Sequence, residues 1–320
     1  FSCTDATTDQ NTWTNMGSGT GHVTYTPPPQ PFGGLGGGTI SGYTSGGYWN
    51  GPRTTIDKFA FSSNVIATDV GDLTQSGRYN TTGCSSANFG YNAGGSSGSM
   101  WHVIDKFSFS TDGNATNVGV LTSPNRMGAA GQSSSTYGYI SGGYNGSAPI
   151  APVDKFSFST DGNATNVANL NVSRYVTAGQ SSQTHGYTTG YWASIEKFSF
   201  ASDSSVILGG NLVTAPAPAY ASGQSASYNG YISGGSGGSN PYLINKFSFT
   251  TDGDSSFVGY LSVPRSGVAG QSSTTNGYIS GGNSSGQVNN IEKFSFTVDG
   301  DSIDHGDLTE PREQQQGQQV

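Results

Sequence analysis

The chain has 320 residues and a net charge of −8, and its composition is unusual because only 10% of residues are charged while 50 are glycine. Soluble domains typically carry about 25% charged residues. Nucleic-acid binding needs clustered, surplus Lys and Arg, so a chain with 12 basic residues is expected to have no nucleic-acid partner. The acidic balance and the lack of a membrane-spanning apolar run predict no membrane insertion.

The first 37 residues differ in character from the rest of the chain. Thr26 is followed by three prolines, and Pro31 and several glycines come next, a composition typical of a stiff linker. The chain begins at Phe1 rather than Met, so we expect a processed or truncated product. We therefore predict that residues 1–37 are an N-terminal extension that attaches residues 38–320 to something upstream or to the proteins of a partner assembly.

Residues 38–320 contain six copies of a unit of about 48 residues. A segment of the form acid-Lys-Phe-Ser-Phe recurs, and ahead of each copy lies a Gly-Tyr segment that usually ends in a glycine pair, as at Gly138 to Gly143. Every lysine of the chain belongs to this segment. These lysines are Lys58, Lys106, Lys155, Lys197, Lys246 and Lys293.

Four β-strands per unit follow from this pattern. In chain order they are an Ala-Ala-Gly-Gln-Ser-Ser segment (129–134), the Gly-Tyr segment, the Lys-Phe-Ser-Phe segment and an Asn-Val-Gly-x-Leu segment (117–121 in the preceding unit). Asp-Gly between the third and fourth strands, as at Asp112, supplies the positive φ angles of a tight hairpin. Regularly placed aromatics argue against disorder, so the chain is predicted to be all-β.

Four-stranded units of this length cannot bury both faces alone, so we expect them to stack radially into a six-bladed β-propeller with four-stranded blades. The first unit begins at its second strand, near Thr39, and residues 312–320 at the C-terminus align with the missing first strand. The C-terminal strand is therefore predicted to join the N-terminal blade. Such closure removes the open edges of the ring.

The glycine pair, the aromatic third strand and an Arg before the next first strand resemble the kelch repeat over residues 38–320. The chain departs from kelch repeats by lacking tryptophan in the fourth strand. The repeat sequences, such as Lys-Phe-Ser-Phe and Asp-Gly-Asn-Ala-Thr, are also similar to propeller repeats of marine bacteriophage structural proteins. These resemblances imply a kelch-like propeller located in a virion or outside the cell.

The recurring charges are predicted to be structural, because buried charges are usually paired. The acid of the third strand is the expected partner for Arg or Lys. Glutamine recurs in the first strand, with Cys84 in one copy, and is expected to form either a polar ring in a central channel or a hydrogen-bonded ladder. Five arginines stand six residues before these positions: Arg78, Arg126, Arg174, Arg265 and Arg312.

Residues for catalysis or metal binding are not apparent. The four histidines are scattered without metal-ligand spacing, and no Cys-x-x-Cys motif is present. Cys3 and Cys84 either pair with each other or stay as free thiols. We expect a protein that is not an enzyme and uses no metal or cofactor, although a pair of carboxylates in a glycan-active enzyme stays open.

The six units differ most in the loops between the second and third strands, where function on a repeated scaffold is expected. Aromatic side chains among Asn, Ser and Gly suit sugars or protein surfaces. The alternatives are that these rings cover the blades or contact other subunits of a homo-oligomer. We predict a phage virion or extracellular recognition protein, or else a bacterial surface adhesin or lectin. The candidate ligand-binding residues are Trp49, Trp101, Tyr144, Trp192 and Tyr242.

Overall fold

A computed structural model describes residues 40–122, 124–203, 207–213, 217–237 and 242–320, together with the backbones of three strands near the N-terminus. The chain divides into two compact units, Phe1–Pro31 and Phe32–Val320. The first unit contains an antiparallel sheet of β1 (Ser2–Thr7), β2 (Gln10–Thr14) and β3 (His22–Thr24). The predicted proline-rich linker lies outside the described residues.

The second unit consists of six four-stranded antiparallel sheets, which we number as blades 1 to 6. Blade 1 contains β4 (Ser41–Ser45), β5 (Thr55–Ala60) and β6 (Thr68–Asp72), and blade 2 contains β7 (Thr82–Ser85), β8 (Phe89–Ala93), β9 (Val103–Ser108) and β10 (Thr116–Val120). Blade 3 contains β11 (Ala130–Ser133), β12 (Tyr137–Ser141), β13 (Pro152–Ser157) and β14 (Thr165–Asn169).

The remaining blades repeat the same order. Blade 4 contains β15 (Ala178–Ser181), β16 (His185–Gly190), β17 (Trp192–Ser199) and β18 (Ile207–Asn211), and blade 5 contains β19 (Ser222–Ser225), β20 (Asn229–Ser233), β21 (Leu243–Ser248) and β22 (Ser256–Tyr260). Blade 6 contains β23 (Ala269–Ser272), β24 (Asn276–Ser280), β25 (Asn290–Ser295) and β26 (Ile303–Asp307), and the last strand is β27 (Gln316–Gln319).

The six sheets close into a ring through β27. This strand pairs with β4 of blade 1, with Gln316 opposite Ser45 and Gln318 opposite Tyr43. The first strands of successive blades contact one another all the way around, from β7 through β11, β15, β19 and β23 to β27 and back to β7. The predicted six-bladed propeller, its four-stranded blades and its closure by the C-terminal strand are therefore confirmed.

The hydrophobic core lies between the blades. The second strand of each blade contributes a buried tyrosine whose ring packs on the phenylalanine that directly follows the third strand of the next blade, as Tyr91 does on Phe158 at 4.9 Å between centroids. Aromatic pairs at such distances add about 0.5–1.5 kcal/mol beyond the area they bury. The other five pairs are Tyr43–Phe109, Tyr139–Phe200, Tyr187–Phe249, Tyr231–Phe296 and Tyr278–Phe61.

Glycine allows the innermost strands to approach one another closely. A Cβ on Gly131 would lie 2.0 Å from the carbonyl oxygen of Gly83 in the preceding blade, and the equivalent contact recurs between all six blades. Any side chain at these positions would push the blades apart. The high glycine content thus has a packing cause near the axis.

The recurring glutamines form a hydrogen-bonded ladder between blades and are buried. Gln132 Nε2 donates to the backbone oxygen of Tyr187 in the next blade at 2.9 Å. Gln180, Gln224, Gln271 and Gln318 reach the corresponding tyrosine carbonyls. Cys84 takes this position in blade 2, where its buried thiol is free and lies 3.5 Å from the oxygen of Tyr139. Of the two predicted arrangements, the ladder is the one observed.

The arginines pair with the third-strand acid of their own blade. Arg126 and Asp154 are fully buried and lie 2.6 Å apart. Blade 5 has Pro218 in place of the arginine and Asn245 in place of the acid, so both charges are replaced together. The four other pairs are Arg78–Asp105, Arg174–Glu196, Arg265–Glu292 and Arg312–Asp57.

The lysines do not pair with the third-strand acid, which was expected to be a partner for Arg or Lys. Lys106 lies 2.6 Å from Asp161, which belongs to the hairpin turn between the third and fourth strands of the next blade. Five lysines therefore join neighbouring blades, whereas the arginines act within one blade. The other pairs of this kind are Lys58–Asp112, Lys155–Asp203, Lys197–Asp252 and Lys246–Asp299.

Candidate binding site

Two sets of loops share one end of the propeller, which we call the loop face. One set joins the second and third strands of each blade, and the other joins the fourth strand of one blade to the first strand of the next. The two sets pair by backbone hydrogen bonds, as between Tyr48 and Glu313 and between Tyr79 and Ser96. The variable loops and the segments that carry the arginines are therefore side by side, as the strand order predicts.

A ring of six residues in the left-handed conformation organises this face. The N–H of Asn80 donates to the oxygen of Gln314 at 2.8 Å, and Gly128 donates to Asn80 at 2.7 Å. Val176 has φ of 51°, which is a rare conformation for a β-branched residue and is maintained only where the surroundings require it. In one link of the ring the N–H of Thr177, and not that of Val176, approaches the oxygen of Gly128 at 3.5 Å. The residues in the left-handed conformation are Asn80, Gly128, Val176, Tyr220, Gly267 and Gln314.

The residue immediately before each ring position is partly exposed, and five different residue types occupy it in the six blades. In five blades a buried arginine precedes it, so the side chain is held between an ion pair beneath the surface and the backbone ring. Rigid support of this kind presents variable side chains in fixed positions. These residues are Tyr79, Met127, Tyr175, Ala219, Ser266 and Glu313.

Aromatic rings form two groups on the loop face. In blades 3 and 4, Tyr175 lies 5.3 Å from Tyr144 and 4.8 Å from Tyr191, and Tyr191 lies 5.2 Å from Trp192. In blades 1 and 2, Tyr48 and Tyr79 meet edge to face at 5.5 Å. Trp192 is 48% exposed and donates its indole N–H to the oxygen of Ser173. Its ring is therefore both fixed and available to a ligand.

Tyr220 lies close to both groups. Burial raises the pKa of the Tyr220 hydroxyl, and the neighbouring Tyr175, Glu313 and Tyr79 raise it further. These side chains come from four different blades. The backbone ring gathers them around the axis, since each belongs to a ring residue or to the residue just before one. The Glu313 carboxylate accepts a hydrogen bond from Gln287 Nε2 at 2.9 Å.

The five predicted binding residues are only partly brought together. Tyr144 and Trp192 belong to the aromatic group of blades 3 and 4. Trp49 lies 5.0 Å from the Arg53 guanidinium, Trp101 donates to Ser97 Oγ at 2.8 Å, and Tyr242 packs on Tyr260. No ring contact joins these three to the two aromatic groups within the described part of the chain.

The sequence prediction missed Tyr79, Tyr175, Tyr220 and Glu313. These residues lie after the fourth strand and not in the loops between the second and third strands. The sequence did contain a signal for three of them. They directly follow a recurring arginine, but the residue type at this position is not the same in every unit.

The turn carboxylates at the opposite end of the blades are already bonded within the protein. Asp299 pairs with Lys246, and Asp301 accepts the backbone N–H of Tyr260 at 2.9 Å. These turns thus join neighbouring blades. Within the described residues, no cluster of His, Cys, Asp and Glu could hold a metal ion.

No protein-family model matches the chain, and no curated protein matches it in sequence. Over the described residues, no helix has the length and apolar character needed to cross a membrane.

Proposed function

We propose that the chain is a non-enzymatic recognition component of a phage virion or another extracellular assembly, and that its loop face binds a glycan or protein of a host surface. The observation that supports this proposal is the aromatic group of Tyr144, Tyr175, Tyr191 and Trp192 on a face where the blades differ. In the core, by contrast, the aromatics repeat from blade to blade, as in the Tyr91–Phe158 and Tyr139–Phe200 pairs. Amphipathic rings with few rotatable bonds bind with a low cost in conformational entropy.

We also propose that the blades belong with the kelch-type propellers. Two features support this proposal. One is the glycine pair that ends the second strand, and the other is the arginine that bonds to this glycine pair and to the third-strand acid. Arg78, for example, donates to the oxygen of Gly94 at 3.0 Å while contacting Asp105. The fourth strands lack the usual tryptophan, and their inward positions are mostly Val, such as Val118.

A glycan array tests the recognition function, with binding compared between the wild-type chain and the Tyr175→Ser, Trp192→Ser double variant. Tyr137→Ser, Tyr228→Ser is the matched control, because both tyrosines are exposed at the opposite end, where Tyr137 begins β12 and Tyr228 lies in the turn before β20. The proposal expects loss of binding for the loop-face variant alone. Equal binding by all three proteins would contradict it.

The virion assignment has its own test. Mass spectrometry of purified virions is expected to detect peptides of this chain. Detection on the bacterial surface, with no such peptides in virions, would favour an adhesin or lectin that uses the same face.

A further inference from the structure

We propose that the centre of the loop face binds an amino sugar in its protonated, cationic form. This inference rests on the proposed function and narrows its ligand class. The groups that support it are the tyrosines around Tyr220 and the single carboxylate of Glu313.

The tyrosine rings supply the first part of the argument. Aromatic faces carry negative electrostatic potential, and several rings around one point attract an ammonium group. Tyr79, Tyr175 and Tyr220 come from three blades and are gathered by the backbone ring, in which the N–H of Tyr220 donates to the oxygen of Val176 at 3.0 Å. Their side chains are half-buried, which weakens competition from water for a bound cation.

The charge of Glu313 supplies the second part. Its carboxylate has no ion-pair partner among the described residues, and its hydrogen bond comes from the neutral amide of Gln287. The basic side chains near this face are already paired, since Arg53 binds Glu310 and Arg312 binds Asp57. An anionic sugar would therefore meet a carboxylate with no cation to offset it, whereas an ammonium group would be attracted.

The surroundings favour a sugar over a basic protein side chain. The two aromatic groups lie on different blades, Tyr48–Tyr79 on one side and the group that includes Trp192 on the other. Ser96, Ser236 and Asn283 occupy the equivalent loop positions of blades 2, 5 and 6. Flat rings interspersed with short hydrogen-bonding groups suit an oligosaccharide longer than one residue.

Isothermal titration with a trimer of β-1,4-linked glucosamine tests the inference at a pH where its amines are protonated. The N-acetylated trimer has the same backbone but no charge, and a lysine-rich peptide represents a basic protein ligand. We expect the amine trimer to bind most tightly, and Glu313→Gln to weaken its binding about tenfold, as for the loss of one desolvated charge interaction.

Asp301→Asn is the matched control variant. It removes one negative charge at the opposite end of the blades and introduces the residue type that blades 2 and 3 carry at Asn114 and Asn163. We expect it to leave binding of the trimer unchanged, and melting curves establish that both variants are folded. A Glu313→Gln effect no larger than that of Asp301→Asn would overturn the inference.

The remaining outcomes also decide the question. Equal binding of the two trimers, or no binding of either, would refute the cationic amino sugar. Tighter binding of the lysine-rich peptide than of the amine trimer would refute it in favour of a protein ligand. If the Tyr175→Ser, Trp192→Ser variant still loses array binding in any of these cases, the proposed function stands and only the narrower inference fails.

Discussion

Tyr278 of blade 6 stacks on Phe61 of blade 1 with their ring centroids 4.5 Å apart. Tyr278 also donates its hydroxyl hydrogen to the Phe61 oxygen at 3.3 Å. The ring contact resembles the five tyrosine–phenylalanine ring contacts between blades that are adjacent in sequence. The junction where the ring closes is therefore packed like the rest of the core, although its two sides are 217 residues apart.

Deletion of residues 316–320 is expected to abolish cooperative thermal melting or to cause aggregation. The deletion removes β27, which leaves the edge of β4 unpaired and the buried Tyr43 uncovered. Calorimetry and light scattering measure the two effects. Gln318→Ala retains the strand and loses only the side-chain hydrogen bonds to Tyr91 and Ser45, so a smaller fall in melting temperature is expected. A wild-type melt after deletion would show that the closing strand is dispensable.

Removal of one partner from the buried pair Arg126–Asp154 is expected to destabilise the fold by about 3–5 kcal/mol, because the remaining charge is left buried and unpaired. Chemical denaturation of Arg126→Leu, Asp154→Asn and the double variant measures this. Blade 5 lacks both charges, with Pro218 and Asn245 at these positions. We therefore expect the double variant to lose much less than the sum of the single losses. Additive losses would contradict direct pairing.

Acid is expected to weaken the junction of blades 6 and 1 through His305. Its ring is buried, Nε2 donates to the oxygen of Ala60 at 2.9 Å, and the ring packs on Phe59 and Tyr278. Burial lowers the pKa of His305. The Ala60 hydrogen bond and Asp304 oppose this shift, and Lys293 adds to it.

The sign of the pH effect follows from this lowered pKa. The unfolded chain, with a histidine pKa of about 6.5, binds a proton before the folded chain does, so stability falls as the pH drops through that value. The fourth strand of blade 5 carries Val258 at the same place. We expect His305→Val to reduce the difference in unfolding free energy between pH 7.5 and pH 5. An identical pH dependence in both proteins would argue against this role.

The double variant Asn64→Asp, Asp304→Asn is expected to give Lys293 an ion-pair partner. The other five lysines pair with an aspartate in the next blade, and in blade 1 the corresponding residue is Asn64, which donates to Asp304 at 3.2 Å. The second substitution removes the carboxylate that would repel the new one. Since the new pair would lie near the surface, we expect stabilisation of about 0.2–1 kcal/mol. The single variant Asn64→Asp should be less stable than the double variant, and the reverse order would contradict this explanation.

The blades were predictable from sequence because every copy repeats the spacing of its strands, turns and aromatics. Asp112 and Gly113 have the positive φ angles that their hairpin was expected to need. The partner of each lysine was not predictable, because Asp161 is distant from Lys106 in sequence and is brought to it only by the packing of one blade on the next.

The candidate site was predictable only in part for a similar reason. Tyr144 and Trp192 were found from loop divergence. Tyr79, Tyr175 and Tyr220 were not, because the backbone ring that gathers them at the axis is formed by hydrogen bonds between blades. Spacing within one unit carries no information about that ring.

Hydrogen–deuterium exchange tests most directly whether the loop face is the contact surface, with the chain measured alone and with the glycan that binds best on the array. We predict added protection in peptides that cover residues 79–80, 144–148, 175–176, 191–193 and 313–314, and unchanged exchange in the hairpins around 111–114 and 252–254. Protection at those hairpins, with none on the loop face, would contradict the account.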